Sequence, residues 1–337
     1  MIGNEKHYRG NIVVKIGHQR RGINMRVENM DNSKMKKRNI KSPAILVLTA
    51  LIWGFAFVAQ SVGMDHVGPF TFNCVRSILG GLVLIPVILV MDRIGHKKGI
   101  EDNDQKTAED SSQKTDKDRA TLIKGGVCCG VVLMAASSLQ QIGIMTTSVG
   151  KAGFLTALYI VLVPVLGLII GKRCSWRLWI SVAMALAGFY LLCIKDGFSI
   201  EKGDICLLLS AMLFSVHIIV IDYFSPKTDG VKMSCIQFFV CGLVCGVFML
   251  IFEDFNIASV MAAGIPILYA GVLSCGVAYT LQIIGQKNYN ITIASLILSL
   301  ESVFSVLGGW LVLHQTLSIR EGIGCVVIFV AVILAQL

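Results

Sequence analysis

LQQIGIMTTSVGKAGFLTALYIVLVPVLGLIIG (139–171) lines up without gaps with LQIIGQKNYNITIASLILSLESVFSVLGGWLVL (281–313) at a shift of 142. Leu139, Gln140, Ile142, Gly143, Ala152, Leu158, Val161 and Gly167 all meet identical residues. Apolar bias inflates such matches, so the Gln and Gly pairs carry most of the weight. A second pair, CVRSILGGLVLI (74–85) and CIQFFVCGLVCG (235–246), agrees in Cys, Gly, Leu and Val at a shift of 161. The chain repeats itself.

What repeats is a set of apolar helices. Of the 337 residues, 55% are hydrophobic and only 15% charged, with a mean hydropathy of +0.72, which places the chain among membrane proteins. Runs of about 20 apolar residues recur, each long enough as a helix to cross about 30 Å of hydrocarbon. Ten such spans are expected, at 42–63, 69–91, 122–144, 149–170, 176–194, 203–222, 232–252, 264–285, 291–313 and 318–336. Barrel-type alternation is absent, and helices are the other way to satisfy backbone groups in lipid. The expected fold is an all-α integral membrane protein. Each copy holds five spans, an odd number, so the second copy enters the membrane from the opposite side. Ten transmembrane helices then form two inverted five-helix repeats, the arrangement behind alternating access in many secondary transporters.

The boundaries follow: a basic tail at 1–41, repeat one at 42–194, a linker at 195–202 and repeat two at 203–337. The long polar stretch 92–121, with seven basic and eight acidic residues, reads as a flexible loop. Net charge is +9, but eleven of the thirty Lys and Arg residues lie in 1–41, beside only Glu5, Glu28 and Asp31. A basic tail before a first span is an anchor on the cytoplasmic face, and nucleic acid is not the expected partner. The tail also lacks the layout of a secretory signal. Loops on the tail's side are rich in Lys and Arg, whereas the other side carries Lys151, Lys195, Lys202 and Arg320, so both termini are expected in the cytoplasm. MKKRNIKSPAILVL, from Met35, reads as a complete start; residues 1–29 are either a mistaken start or a disordered extension.

Eleven cysteines are scattered through the spans with no C-x-x-C pair, the pattern of small hydrophobes; no metal site is expected. No cofactor motif is present. Without a Walker-A loop, H-E-x-x-H or G-x-S-x-G, no enzyme activity of those classes is expected.

ALIWGFAFVAQ (50–60), PFTFNCVRSILGGLVL (69–84), GKAGFLTALYIVLVPVLGLIIGKR (150–173), GDICLLLSAMLFSVHIIV (203–220) and IASLILSLESVFSVLGGWLVLHQTLS (293–318) resemble the EamA domains of the drug/metabolite transporter superfamily. The resemblance spans nearly all of 42–336 and recurs in both halves. It implies ten helices in two inverted bundles and movement of small organic solutes, often by export. The family commonly ends spans four and nine with a Gly-Glu-Arg-like turn. Here Gly171-Lys172-Arg173 and Leu313-His314-Gln315 stand there, so no role of those glutamates carries over.

Polar residues inside the spans are the candidate site. Arg76 sits within span two, where a central charge costs about 2.5–3.5 kcal/mol and demands a partner or a watery cavity. It either pairs with carbonyls structurally or binds an anionic or carboxylate-bearing solute, for which a guanidinium fork suits two oxygens. Its repeat partner Gln237 keeps hydrogen bonding without the charge. Glu301 aligns with Tyr159; it carries a coupling proton, takes an amine, or serves as an interhelical hydrogen bond or a partner of Arg76. Gln140 and Gln282 are repeat equivalents that line a cavity or bind neighbouring helices. Trp53 and His217 lie deep in spans one and six, as cavity wall or core. Lys151 stands at the external start of span four, as an anion screen or an ordinary interfacial lysine. Pro86, Pro164 and Pro266 are expected to kink their spans, with Pro164 the hinge candidate. Gly126 and Gly130, Gly167 and Gly171, and Gly242 and Gly246 have the spacing of close helix contacts.

The function expected is secondary transport of a small polar metabolite, amino-acid-like solute or drug across the cytoplasmic membrane, with protons as a coupling ion. A membrane sensor or scaffold built on the loop or tail is the alternative.

Overall fold

The computed structural model describes residues 41–99, 108–172, 174–193, 201–314 and 318–337. Expectations for the tail, for most of the linker 195–202 and for the centre of the polar loop fall outside these residues. Among the described residues all regular structure is helical.

In chain order the helices are α1 (Lys41–Met64), α2 (Pro69–Gly99) and α3 (Ala108–Ile144). Next come α4 (Val149–Ile169), α5 (Trp176–Cys193), α6 (Lys202–Phe224) and α7 (Gly230–Phe252). The chain closes with α8 (Gly264–Gln286), α9 (Ile291–Leu313) and α10 (Ile319–Gln336). Nine of these are long and apolar enough to cross a membrane among the described residues; α5, apolar over Trp176–Leu191, is shorter. A multi-pass membrane protein is the result.

The polar stretch 92–121 is more ordered than its composition suggests. α2 continues to Gly99 and α3 begins at Ala108, so helix covers most of it. From Ala108 to Ile123 no Gly or Pro interrupts the chain, so helix propagates out of the apolar span.

Polar side chains fix several helix starts. Asp229 accepts from the Val231 and Lys232 N–H groups at the start of α7, and Asn290 does the same for Thr292 and Ile293 at α9. Ser318 and Glu321 form a capping box on α10.

Equivalent helices of the two halves run antiparallel. At one end of the bundle Glu253, after α7, accepts from the Phe70 and Thr71 N–H groups at the start of α2 (2.7 and 2.8 Å). At the other end Lys232 near the start of α7 meets Asp92 of α2 at 2.8 Å. α4 and α9 behave alike: Ser302 Oγ donates to the Gly153 carbonyl at 2.9 Å, while the end of α4 adjoins the start of α9. The other contacts come in matched pairs under exchange of each helix for the fifth one after it: α3–α6 with α8–α1, α3–α7 with α8–α2, and α4–α6 with α9–α1. That is the packing an inverted repeat demands.

Close approach depends on small residues. A Cβ on Gly54 of α1 would stand 2.2 Å from Phe304 Cβ and 2.9 Å from the Glu301 carbonyl of α9. Gly126, Gly130 and Gly242 likewise admit α7 or α2. Gly167 and Gly171 serve differently. Gly171 takes φ +80° and Lys172 N–H reaches back to the Gly167 carbonyl, so this pair ends α4 instead of packing it against a neighbour.

Candidate functional site

Both fourth helices are interrupted at the same place. Leu158 N–H bonds back three residues to Leu155 O, and Leu300 N–H to Ile297 O, positions related by the shift of 142 seen in the sequence. Tyr159 and Glu301 each open the segment that follows, Tyr159–Ile169 and Glu301–Leu313. Tyr159 lies ten residues from either end of α4, so the interruption falls near the middle of the bundle. Pro164 is not where α4 breaks; it lies inside the continuous segment Tyr159–Ile169. α9 has no proline and breaks at the same level, so the interruption belongs to the repeat.

Against this level lies a cavity whose walls include Trp53, Gln60, Arg76, Gln140, Tyr159, His217, Gln282 and Glu301. Seven of the eight binding or coupling candidates from the sequence meet there. The eighth, Gln237, stands behind the wall, its Oε1 3.2 Å from His217 Nε2. Phe57, Phe214, Ser274 and Tyr279 complete much of the lining. Trp53 packs on Tyr279 with ring centroids 4.6 Å apart.

Arg76 is held from one side. Its Nη1 donates to Gln60 Oε1 at 2.9 Å, and its guanidinium lies over the Phe72 ring at 5.6 Å. Gln60 is tied down in turn: its Nε2 donates to Ala56 O, and its carbonyl accepts from Gln141 Nε2 of α3. The second half repeats the device without the charge, since Gln237 of α7 pairs with His217 of α6 as Arg76 of α2 pairs with Gln60 of α1. Gln140 Nε2 donates to Thr156 Oγ1 at 3.3 Å.

Glu301 and Arg76 are both buried, and no ion pair joins them among the described residues. The Tyr159 hydroxyl is the polar neighbour of the Glu301 carboxylate. Yet Arg76 Nε, Trp53 Nε1, His217 Nδ1 and Gln282 Oε1 lack a hydrogen-bond partner among the described residues. Buried polar atoms of this kind are rare and costly unless a site needs them. Lys151 lies elsewhere. It forms a 2.6 Å ion pair with Asp204 at the start of α6, which leaves it engaged and not screening a mouth.

The sequence reading missed Gln60, Thr156, Ser274 and Tyr279. Gln60 was findable: it is an amide deep in an apolar span, the same signal that marks Gln140 and Gln282. Ser274 and Tyr279 were not, because they reach the cavity from a wide-turn π segment, Tyr269–Tyr279, in the middle of α8. Such segments concentrate at functional sites and have no sequence signature of their own.

A helical bundle with a polar cavity at the level of two interrupted helices defines a membrane transporter class. The EamA-like transporter family model matches residues 41–194 and again 201–337, so the chain belongs to that family. It is 27% identical over 293 residues to an uncharacterized transporter of Archaeoglobus fulgidus, covering 87% of this chain and 84% of that one. It is 20% identical over 294 residues to the uncharacterized transporter YoaV of Bacillus subtilis, covering 84% of this chain and 92% of the relative. One crystal structure of a protein superposes with a TM-score of 0.67 at 17% identity, covering 87% of this chain and 96% of that one, which speaks to the fold alone.

Proposed function

We propose that this membrane transporter is a secondary one. It exports or exchanges a small polar metabolite, amino-acid-like solute or drug across the cytoplasmic membrane by alternating access, with both termini in the cytoplasm. The observation that carries the reading is Arg76 and Glu301 sharing one buried cavity without pairing with each other. Each is an ionisable group whose natural counterpart comes from a solute. A carboxylate docks on the face of Arg76 that Gln60 leaves uncovered; an amine, or the coupling proton, goes to Glu301 beside Tyr159. The paired interruptions at Leu158 and Leu300 supply hinges through which the two halves rock about the site.

Flux of a solute panel into vesicles containing the purified protein tests this. Arg76→Ala and Glu301→Gln are each expected to lower flux at least tenfold while elution and melting stay those of a folded protein. Undiminished flux in both variants overturns the site assignment. No flux of any solute in the native protein overturns the function.

A further inference from the structure

The shift of 142 that pairs Gln140 with Gln282 also pairs Thr156 with Leu298. In the first half Gln140 Nε2, on α3, donates to the Thr156 hydroxyl of α4 at 3.3 Å. At the equivalent place α9 carries a fully buried alkyl side chain, so the second glutamine lacks the partner that its twin keeps. Gln282 Oε1 has no hydrogen-bond partner among the described residues, although the side chain is only 1% exposed and lines the central cavity. An amide left open in an apolar bundle is costly unless something else completes it. Of the two equivalent glutamines, one joins α3 to α4 and the other is free to bind.

Gln282 does not stand alone. Three residues before it on α8, Tyr279 gathers the aromatic side of the cavity: Trp53 packs on its ring with centroids 4.6 Å apart, and His217 meets it edge-on at 5.9 Å. Trp53 Nε1 is a buried donor atom without a partner, and His217 Nδ1 is open while Gln237 holds Nε2. This side of the cavity therefore offers flat apolar faces, an indole N–H that can only donate, and an amide oxygen ready to accept. Its polar groups are uncharged, whereas Arg76 and Glu301 supply the ionisable ends of the same site.

We infer that Gln282 and Trp53 bind a carboxamide group of the solute against the Tyr279 ring. The inference rests on the transporter reading and sharpens its solute to a small polar molecule that carries a carboxamide besides the groups taken by Arg76 and Glu301. A carboxamide complements the pair: its carbonyl accepts from Trp53 Nε1, its N–H donates to Gln282 Oε1, and its plane lies on the aromatic wall. A methyl ketone keeps the carbonyl, the plane and nearly the same shape but has no N–H, and a carboxylate sets one acceptor against another. A site built to hydrogen-bond an N–H rejects an analogue that lacks it, because the buried acceptor is then left unpaired.

L-Asparagine and L-glutamine, each beside the methyl ketone in which CH3 replaces NH2, are the probes. All four carry the same carboxylate and ammonium. Binding is read from the rise in melting temperature of the detergent-purified protein across a concentration series of each probe. At least one of the two amides is expected to bind the native protein at least tenfold more tightly than its ketone. In Gln282→Leu the amide's affinity is expected to fall until the two lie within twofold of each other, and Gln282→Met gives the same readout should the first variant misfold. Trp53→Phe removes a donor to the carbonyl that both probes share, so it is expected to weaken amide and ketone alike. A native protein that prefers neither amide to its ketone, or a preference that survives loss of the Gln282 amide, overturns the carboxamide site. The melting shift needs no transport. Absent flux therefore counts against the transporter reading and leaves the preference standing, while flux of other solutes without any amide preference removes this inference alone.

Discussion

Tyr159 and Glu301 occupy the same position in the two halves, each the first residue after an interruption of its helix, and they meet across the central cavity. One half supplies a phenol and the other a carboxylate. A duplicated scaffold thereby yields a site with distinct ends: Glu301 beside Tyr159, and Arg76 where the other half has Gln237.

Glu301→Gln should separate stability from function. A buried carboxylate without a cationic partner is a cost to the fold, and the amide removes the charge at nearly constant shape. The variant is expected to melt at the native temperature or a few degrees above it while flux falls at least tenfold. Tyr159→Phe should leave melting unchanged and reduce flux less. Thermal unfolding in detergent beside vesicle flux measures both, and a Glu301→Gln protein that melts well below the native one contradicts the account.

Gln60 should act through Arg76. Gln60→Leu removes the acceptor of Arg76 Nη1 and leaves a buried charge less satisfied, at a cost of about 1.5–3 kcal/mol. Gln60→Glu instead gives Arg76 an internal carboxylate. That variant is expected to fold as well as the native protein but to need a higher concentration of any carboxylate-bearing solute for half-maximal flux. An unchanged half-saturation value with Gln60→Glu means that solute does not compete for Arg76.

How far the sequence reached is visible in these same residues. Period, hydropathy and the shift of 142 located the spans and the inversion because each is a property of long segments, which tertiary contacts cannot reverse. Charges and amides inside apolar spans located the cavity, since such groups must face something polar. The interruption in α9 stayed hidden because nothing marks it: Ser299 and Leu300 break no rule of helix formation, and Pro164 drew attention to the wrong turn of α4. Likewise the pairing of Lys151 with Asp204 joins residues 53 apart, a distance that no local pattern spans.

Gly54 should set how closely α1 approaches α9. The atoms a methyl group would meet are backbone and Cβ atoms of Phe304 and the Glu301 carbonyl, none of which can swing away. Gly54→Ala is therefore expected to cost about 1–3 kcal/mol and to depress flux, although no cavity side chain has changed. Gly264→Ala, with no atom within 4 Å, is the neutral control. Melting temperatures of the two variants check the contrast; equal values mean that the helices part without penalty.

Cys174, in the connection between α4 and α5, should report its own burial through pH. Desolvation pushes its thiol above the ordinary cysteine range, opposed in part by a hydrogen bond to Thr292 at the start of α9. The thiolate is the reactive form, so at neutral pH Cys174 carries less of it than a solvent-exposed cysteine does. Its rate of modification is expected to lag a cysteine peptide at neutral pH and to close the gap as pH rises through and beyond the peptide's own titration. Thr292→Val removes the opposing bond and should widen the lag at neutral pH. Stopped-time labelling across a pH series reads the effect, and a Cys174 that reacts faster than the peptide at neutral pH contradicts both the burial argument and its sign.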